Sequence, residues 1–283
     1  MTDKTATVTT PIDRYGVMGD PVSHSRSPVI HRLFALHTQQ SLQYELLQVP
    51  PEKLEIAVRQ FQRTGGKGLN ITVPHKTEVL RLVDQMSERA ATAGAVNTLS
   101  FKGGEIYGDN TDGIGLLRDL AVNLNISVED ANILILGAGG ATRGIIAPLL
   151  EMQPKSLMIA NRSLGKAEAL ALHFSRLGPV SACRFNAVPV STPYDLIINA
   201  TSAGVKGEAP PYPTDAISDV TYCYDLSYGL SPTPFSVWAR EAGARQSVMG
   251  WGMLVEQAAE SFNLWRGVRP DTVPVLKQMS ITS

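Results

Sequence analysis

From Tyr15 to about Asp109, short apolar runs alternate with stretches whose apolar residues recur every three or four positions, the pattern of stacked β-α units in an α/β layer fold. Residues 12–18 read as a strand. Ser27 and Pro28 then open a helix, serine as N-cap and proline at the first helical position, with Ile30, Leu33, Phe34 and His37 along one face. Residues 44–49 read as a second strand, residues 54–61 as a helical run broken by Gly65 and Gly66, and residues 69–73 as a third strand ending at Pro74. Pro74 starts another predicted helix, with Val79, Leu82, Val83 and Met86 turned inward. Residues 98–101 and 105–107, joined by Lys102-Gly103-Gly104, predict a β-hairpin. After a polar turn at residues 108–113, the helical spacing of Ile114, Leu117, Ala121 and Leu124 predicts a helix bridging two domains, with the boundary near Thr111. A new β-α series starts at Asn132, with strands at residues 156–160, 196–199 and 221–225; a last helix over residues 253–265 puts Leu254, Ala258, Phe262 and Trp265 on one stripe. The chain shows no internal repeat and no low-complexity segment.

With 283 residues, 43% of them hydrophobic and 18% charged, the chain can bury a substantial core, and its length predicts about two domains. A formal net charge of −1 without a local basic patch argues against nucleic acid or another polyanion as partner. Two cysteines, Cys183 and Cys223, are too few for a disulfide scaffold and are not spaced for a metal, so reduced thiols in a cytoplasm are expected. Residues 1–10 are polar and rich in threonine, lack the apolar stretch of a secretory signal, and read as a frayed tail. The most apolar run, residues 133–136, falls far short of a membrane span, which needs roughly 20 apolar residues.

The first specific chemistry lies at the end of that run. Asn132-Ile133-Leu134-Ile135-Leu136 leads into Gly137-Ala138-Gly139-Gly140-Ala141-Thr142-Arg143-Gly144 and then a helical stretch. Gly137 and Gly139 let the chain turn tightly and bring backbone N–H groups to a pyrophosphate at a helix N-terminus. Thr142 stands where the third glycine of such a turn is expected, so the motif alone also fits a purely structural turn; strand, turn and helix in succession favour a dinucleotide site. An NAD site carries Asp or Glu at the end of the next strand, to bond the ribose 2′-hydroxyl. Here that strand ends in Asn161-Arg162-Ser163, with Lys166 one turn on. Two cations without a carboxylate suit the 2′-phosphate of NADP, the other reading being a solvated basic helix start.

In the first half the candidate residues are individually ambiguous. Lys76 falls in the first turn of the helix expected after Pro74, where the helix dipole should lower its pKa and suit it to proton transfer; exposed lysines are also common. Asp112 and Ser27 read either as chemistry or as helix caps, and Asn97 as chemistry or as a turn residue. His24 and His75 lack metal-ligand spacing, and no metal is expected.

Together these segments are more specific. Ser23-His24-Ser25-Arg26-Ser27-Pro28, Asn70-Ile71-Thr72-Val73-Pro74-His75-Lys76, Gly94-Ala95-Val96-Asn97-Thr98 and Asn110-Thr111-Asp112-Gly113 closely resemble the shikimate dehydrogenase family. In the second half so do Gly137-Ala138-Gly139-Gly140-Ala141, Asn161-Arg162-Ser163, Asn199-Ala200-Thr201-Ser202, Tyr224-Asp225-Leu226-Ser227-Tyr228, Thr233-Pro234-Phe235 and Gly252-Met253-Leu254-Val255-Glu256-Gln257-Ala258, in the same order. The resemblance runs from about residue 15 to residue 267. It departs at Ser163, where threonine is common, and at Trp251, which interrupts a glycine pair; neither removes chemistry.

The resemblance implies an α/β substrate domain, residues 1–111 completed by C-terminal helices in residues 250–283, and a Rossmann-type NADP-binding domain, residues 112–249, with the active site in the cleft between them. It implies Lys76 and Asp112 as the catalytic pair, and Ser25 and Ser27 as the seat of the substrate carboxylate. Thr72, Asn97, Tyr228 and Gln257 are implied as further substrate contacts. Gly137, Ala138, Gly139, Gly140, Ala141, Asn161, Arg162, Ser163, Lys166, Thr201 and Gly250 are implied as the NADP contacts. The implied reaction is reversible NADPH-dependent reduction of 3-dehydroshikimate to shikimate, in the biosynthesis of chorismate and the aromatic amino acids, by a cytoplasmic monomer or homodimer. Two alternatives stand beside it. One is a quinate/shikimate dehydrogenase of the same fold, which the paired serines and the absence of an acidic residue near Arg162 disfavour. The other is a non-catalytic regulator that binds NADPH or shikimate, which retention of both Lys76 and Asp112 disfavours.

Overall fold

A computed structural model describes residues 12–191, 193–201 and 212–281; the expected tail at residues 1–10, and Ser202, lie outside the described residues. The first half runs β1 (Asp13–Gly19), α1 (Ser27–His37), β2 (Leu42–Gln48), α2 (Leu54–Arg63), β3 (Gly66–Ile71), β4 (Gln85–Met86), α3 (Glu88–Ala93), β5 (Thr98–Lys102) and β6 (Glu105–Asp109). Its strands form one sheet in the order β2-β1-β3-β5-β6-β4. β1 pairs in parallel with β2 and β3, while β3, β5 and β6 are antiparallel through the expected hairpin. Leu54, Val58 and Phe61 of α2 bury their stripe against Leu69, Ile71 and Leu99 of this sheet.

α4 (Asp112–Arg118) then leads into β7 (Asn132–Leu136), α5 (Gly140–Glu151), β8 (Ser156–Ala160), α6 (Leu164–Phe174), β9 (Val180–Cys183), β10 (Leu196–Asn199), β11 (Tyr222–Asp225), α7 (Pro234–Glu241) and β12 (Gln246–Met249). Every pairing here is parallel, in the order β12-β11-β10-β7-β8-β9. This is the doubly wound order, in which the chain reverses direction between β7 and β10 and leaves a crevice at the carboxyl ends of those strands. The apolar runs of β7 and β10 are buried on both faces, as central parallel strands require. α8 (Trp251–Arg266) and α9 (Val273–Ile281) return to the first sheet, where Val255, Ala258, Ala259 and Phe262 pack on Ile30 and Phe34 of α1.

Several expectations need correction. No α-helix follows Pro74: residues 73–77 form turns and a short 3-10 helix covers Glu78–Leu82. The backbone there is spent on tertiary partners, the Thr72 N–H on Met18 O at 2.9 Å and the Lys76 carbonyl on Val96 N–H at 2.8 Å. Met86, expected inward, is exposed in β4. Ser27 does not cap α1; Arg26 holds that position, and His31 rather than His37 lies on the buried face. The helix expected over residues 114–124 stops at Arg118 and continues as one π-turn, Asp119–Asn123. The short strands β4, β9 and β12 were not foreseen, because edge strands of two to four mixed residues carry too little periodicity.

α4 lies between α5 and α8 and packs on both. A set of ion pairs ties the same region together. Buried Glu256 of α8 receives Arg118 and Arg269, each at 2.9 Å, while Arg89 of α3 reaches both Asp109 at 2.6 Å and Glu260 at 3.1 Å. At the start of α8, the buried Asp119 carboxylate accepts from Tyr224 Oη at 2.5 Å and Asn123 Nδ2 at 2.9 Å. A Cβ at Gly252 would lie 1.8 Å from that carboxylate. Gly252→Ala is therefore expected to lose about 1–3 kcal/mol of unfolding free energy by overpacking, read from the denaturant midpoint; an unchanged midpoint would mean that α8 shifts freely at its first turn.

Candidate active site

The candidate residues fall into three clusters. In the first, Lys76 Nζ donates to Asp112 Oδ2 at 2.6 Å, with side chains 12% and 5% exposed. Asp112 is the first residue of α4, not its cap: its own N–H goes to Asn110 Oδ1 at 3.1 Å, and its second carboxylate oxygen accepts from Asn97 Nδ2 at 2.9 Å. Asn97 is fixed in turn by Thr111, whose N–H donates to Asn97 Oδ1 at 2.8 Å. Gln257 of α8 closes the group, its Oε1 3.4 Å from Thr111 Oγ1. Thr72 is half-buried on the turn that carries Lys76. The cap reading of Asp112 falls away, because Thr111 holds that position; Asn97 stands at the bend before β5 with its side chain committed to Asp112 and Thr111.

The second cluster lies where α1 begins. Ser25 and Ser27 stand with hydroxyl oxygens 3.2 Å apart, and the Ser27 N–H donates to Ser25 Oγ at 3.3 Å. Tyr228, half-buried, packs its ring on Trp251 with the centroids 4.8 Å apart. Burial raises the Tyr228 pKa, partly offset by the influence of the Arg26 backbone and the Ser25 hydroxyl, so the phenol keeps its proton at neutral pH.

The third cluster is the glycine turn. Gly137 has φ +110°, a region costly for a side chain, and a Cβ there would meet the Ala200 carbonyl at 3.0 Å. Thr142, in place of a third glycine, donates its hydroxyl to Gly137 O at 2.9 Å and braces the turn. Gly139 is exposed with open space above it, and Ala138 and Ala141 are half-buried beside it. Thr201 lies on the loop after β10, with N–H and hydroxyl both on Asn199 Oδ1, at 3.2 and 2.7 Å. Gly250 is buried at the start of α8, its N–H on Ser227 O at 3.0 Å. Asn161, Arg162, Ser163 and Lys166 mark the end of β8 and the start of α6; both cations are exposed, and among the described residues no carboxylate pairs with either. The donor set therefore suits a dinucleotide carrying an extra phosphate: free amides at a helix N-terminus, an open glycine face, and unpaired cations where an NAD site has an acid.

α5 brings the third cluster against the first. A Cβ at Gly140 would stand 3.0 Å from Lys76 Cβ, and one at Gly144 would stand 2.9 Å from Asp112 Oδ2. Sequence reasoning missed the polar floor below the pair. Asn70 Nδ2 is near Asn97 O, Thr98 Oγ1 and Ser261 Oγ at 3.3, 3.1 and 3.0 Å, and its Oδ1 accepts from Tyr44 Oη at 2.7 Å. Asn70 and Thr111 sat inside the motif runs, a usable signal. Tyr44 lay in a strand and Ser261 in a helix, each read only for its apolar period.

Comparison with known proteins agrees with this geometry. Three family models match in chain order: the shikimate dehydrogenase substrate binding domain over residues 17–99, shikimate / quinate 5-dehydrogenase over residues 119–206, and the shikimate 5′-dehydrogenase C-terminal domain over residues 250–279. The chain is 52% identical to the NADP(+) shikimate dehydrogenase of Alkalilimnicola ehrlichii, across 93% of this chain and 97% of that one. It is 54% identical to that of Methylococcus capsulatus, across 94% and 96%. The crystal structure of shikimate 5-dehydrogenase from Thermus thermophilus, in complex with NADP(H) and shikimate, superposes with a TM-score of 0.84 at 31% identity, covering 96% of this chain and all of that one.

Beneath Tyr44 lies His31, fully buried, stacked on the tyrosine ring at 4.3 Å and with neither ring nitrogen hydrogen-bonded among the described residues. Burial lowers its pKa to about 3. The folded state thus rejects a proton that the unfolded chain accepts near pH 6.5, so this contribution to stability is complete above that pH and is lost as pH falls toward 3. His31→Phe is expected to flatten the acid limb of stability in that window, by on the order of 1 kcal/mol per pH unit. Urea unfolding from pH 7 to 4 checks it, and identical slopes in both proteins would contradict it.

Proposed function

The chain belongs to the shikimate dehydrogenase family, and we propose that it catalyses the reversible NADPH-dependent reduction of 3-dehydroshikimate to shikimate, in the biosynthesis of chorismate and the aromatic amino acids. One observation carries the reading: a nearly buried Lys76–Asp112 ion pair of 2.6 Å set against the first turn of the helix that follows the glycine turn. The names of the relatives and the ligands of the Thermus thermophilus complex support the same substrate and cofactor.

In this assignment the backbone of Gly137, Ala138, Gly139, Gly140 and Ala141 holds the NADP pyrophosphate, Asn161, Arg162, Ser163 and Lys166 its 2′-phosphate end, and Thr201 and Gly250 its nicotinamide end. When bound, the reduced nicotinamide supplies the hydride for the ring ketone. The chain supplies the proton and the geometry. Ser25 and Ser27 receive the substrate carboxylate, with Tyr228 beside them; Thr72, Asn97 and Gln257 face the ring hydroxyls. Lys76, as an ammonium, donates its proton to the ketone oxygen as negative charge develops there. Asp112 already accepts from Lys76 on one oxygen and from Asn97 on the other. It is therefore placed to hold the lysine and a neighbouring substrate hydroxyl rather than to deliver the proton.

The domain division at residues 1–111 with 250–283, and 112–249, has support in the packing: Leu116 of α4 joins the core of the second sheet, whereas Val255 and Phe262 of α8 join that of α1. The cytoplasmic reading has the support of two buried free thiols. Among the described residues no helix is long and apolar enough to cross a membrane.

Shikimate-dependent reduction of NADP, followed by nicotinamide absorbance with quinate and NAD as parallel controls, tests the assignment. Rapid turnover is expected only with shikimate and NADP. Comparable rates with quinate or NAD would move the chain to the broader quinate/shikimate branch, and NADPH binding without turnover would favour a regulator. Lys76→Ala is expected to cut turnover by about 10² to 10⁴-fold while NADPH still binds by fluorescence titration; unchanged turnover would remove Lys76 from the chemistry. Arg162→Ala is expected to raise KM for NADP by about tenfold or more, leaving the weak use of NAD unaltered.

A further inference from the structure

The two halves of the chain also touch away from the ion pair, at the end of α3. That helix closes at Gly94, whose φ of +58° turns the chain toward Asn97. Two side chains from different helices of the second half meet this bend. His173, next to last in α6, brings Nε2 to 2.8 Å from the Thr92 carbonyl oxygen. A carbonyl only accepts, so Nε2 carries a proton and donates it. The imidazole is exposed, but its ring stands edge-on to buried Phe174 at 4.6 Å, which limits its freedom. Arg143, in the first turn of α5, comes against the bend itself: a Cβ at Gly94 would stand 3.1 Å from Arg143 Nη1. This guanidinium is half-buried, and among the described residues it has neither an ion pair nor a hydrogen bond. Its place is defined by the room that Gly94 leaves.

The bend leads at once to the catalytic pair. Two residues after Gly94, the Val96 N–H donates to the Lys76 carbonyl at 2.8 Å, and the next residue, Asn97, holds Asp112. On the other side, α5 begins in the glycine turn and α6 carries Lys166 in its first turn, the groups assigned to the cofactor. Whatever fixes the bend against these two helices therefore fixes Lys76 against the cofactor turn. We propose that His173 and Arg143 are positioning residues that set the distance between the proton donor, Lys76, and the nicotinamide end of the cofactor site. They act through residues 92–97 and not by holding either ligand. The inference rests on the shikimate reading above and adds to it a contact that acts on the geometry of transfer. Hydride and proton must reach the two atoms of one carbonyl group. An error in the spacing of their donors is therefore felt in the chemical step, where small displacements are costly.

His173→Ala removes the donor at an exposed position. It is expected to slow hydride transfer, read as the nicotinamide absorbance change in a single-turnover stopped-flow experiment, by about threefold to tenfold, the worth of one neutral hydrogen bond. KM for shikimate and for NADP should stay within about twofold of the parent, with the thermal midpoint preserved. His173→Gln, whose amide can donate to the same carbonyl, is expected to recover most of the lost rate, which a merely space-filling role would not require. Arg143→Ala is expected to slow the same step with both KM values kept. An unchanged transfer rate in either alanine variant, a loss confined to KM for NADP, or a slow His173→Gln protein would each overturn the proposal. A parent protein that neither turns over nor binds shikimate would instead remove the functional reading, and this inference with it.

Discussion

Lys76 and Asp112 are nearly out of water, and a charge in that position is tolerable only while its partner and its remaining hydrogen bonds are in place. The pair cannot be supplied by either sheet alone. Lys76 comes from the turn after β3, Asp112 from the first position of α4, and the cover that keeps water off them is the glycine face at the start of α5. The fold around the crevice can be understood as what this one ion pair requires. Asn97 fills the second carboxylate oxygen, Thr111 fixes Asn97, and Gln257 of the returning α8 completes the polar group from the far end of the sequence.

That requirement accounts for the treatment of the region where the two sheets meet. α4 is short and wedged between α5 and α8, and the segment that leads into it is fixed by the ion pair of Asp109 with Arg89. Arg89 also reaches Glu260, and Arg269 joins Glu260 to Glu256, so the strand before α4 and the helix carrying Gln257 share one set of charges. Partly buried carboxylates with several donors each specify one arrangement of these elements more than they add to total stability. The consequence for function is that displacement of α8 moves Gln257 and the frame of Asp112 together.

The α/β class, both β-α series and the glycine turn were legible in the sequence, because buried strands, helical stripes and glycine turns leave strong local patterns; the candidate residues of the first half were individually ambiguous and stood out only through the resemblance of the motif runs that hold them. What was illegible depended on distant partners. The turn carrying Lys76 reads locally as a helix start, since Pro74 suits that position; it is not one, because its backbone groups bond Met18 and Val96. Ser27 reads as a cap for the same reason, yet Arg26 holds that position and the Ser27 hydroxyl accepts from Ser25 at 3.2 Å. Tyr44 and Ser261 carry no local mark, since a polar group on a regular element signals nothing until the opposing strand is known.

One expectation was wrong about which helix faces Lys76. The sequence placed Lys76 at the N-terminus of its own helix; the structure gives it the N-terminus of another, with Gly140 of α5 against its side chain. The positive end of α5 opposes the lysine charge, and Asp112 is the group that offsets it. The same first turn carries the free amides suited to a pyrophosphate. A single helix end therefore serves the cofactor turn and borders the proton donor, and the short side chains that let an anion approach on one face let Lys76 approach on the other. Gly140 must consequently stay small for two sites at once and Gly144 for the carboxylate of Asp112, which ties the position of the phosphate-binding turn to that of the ion pair more closely than either motif indicates alone.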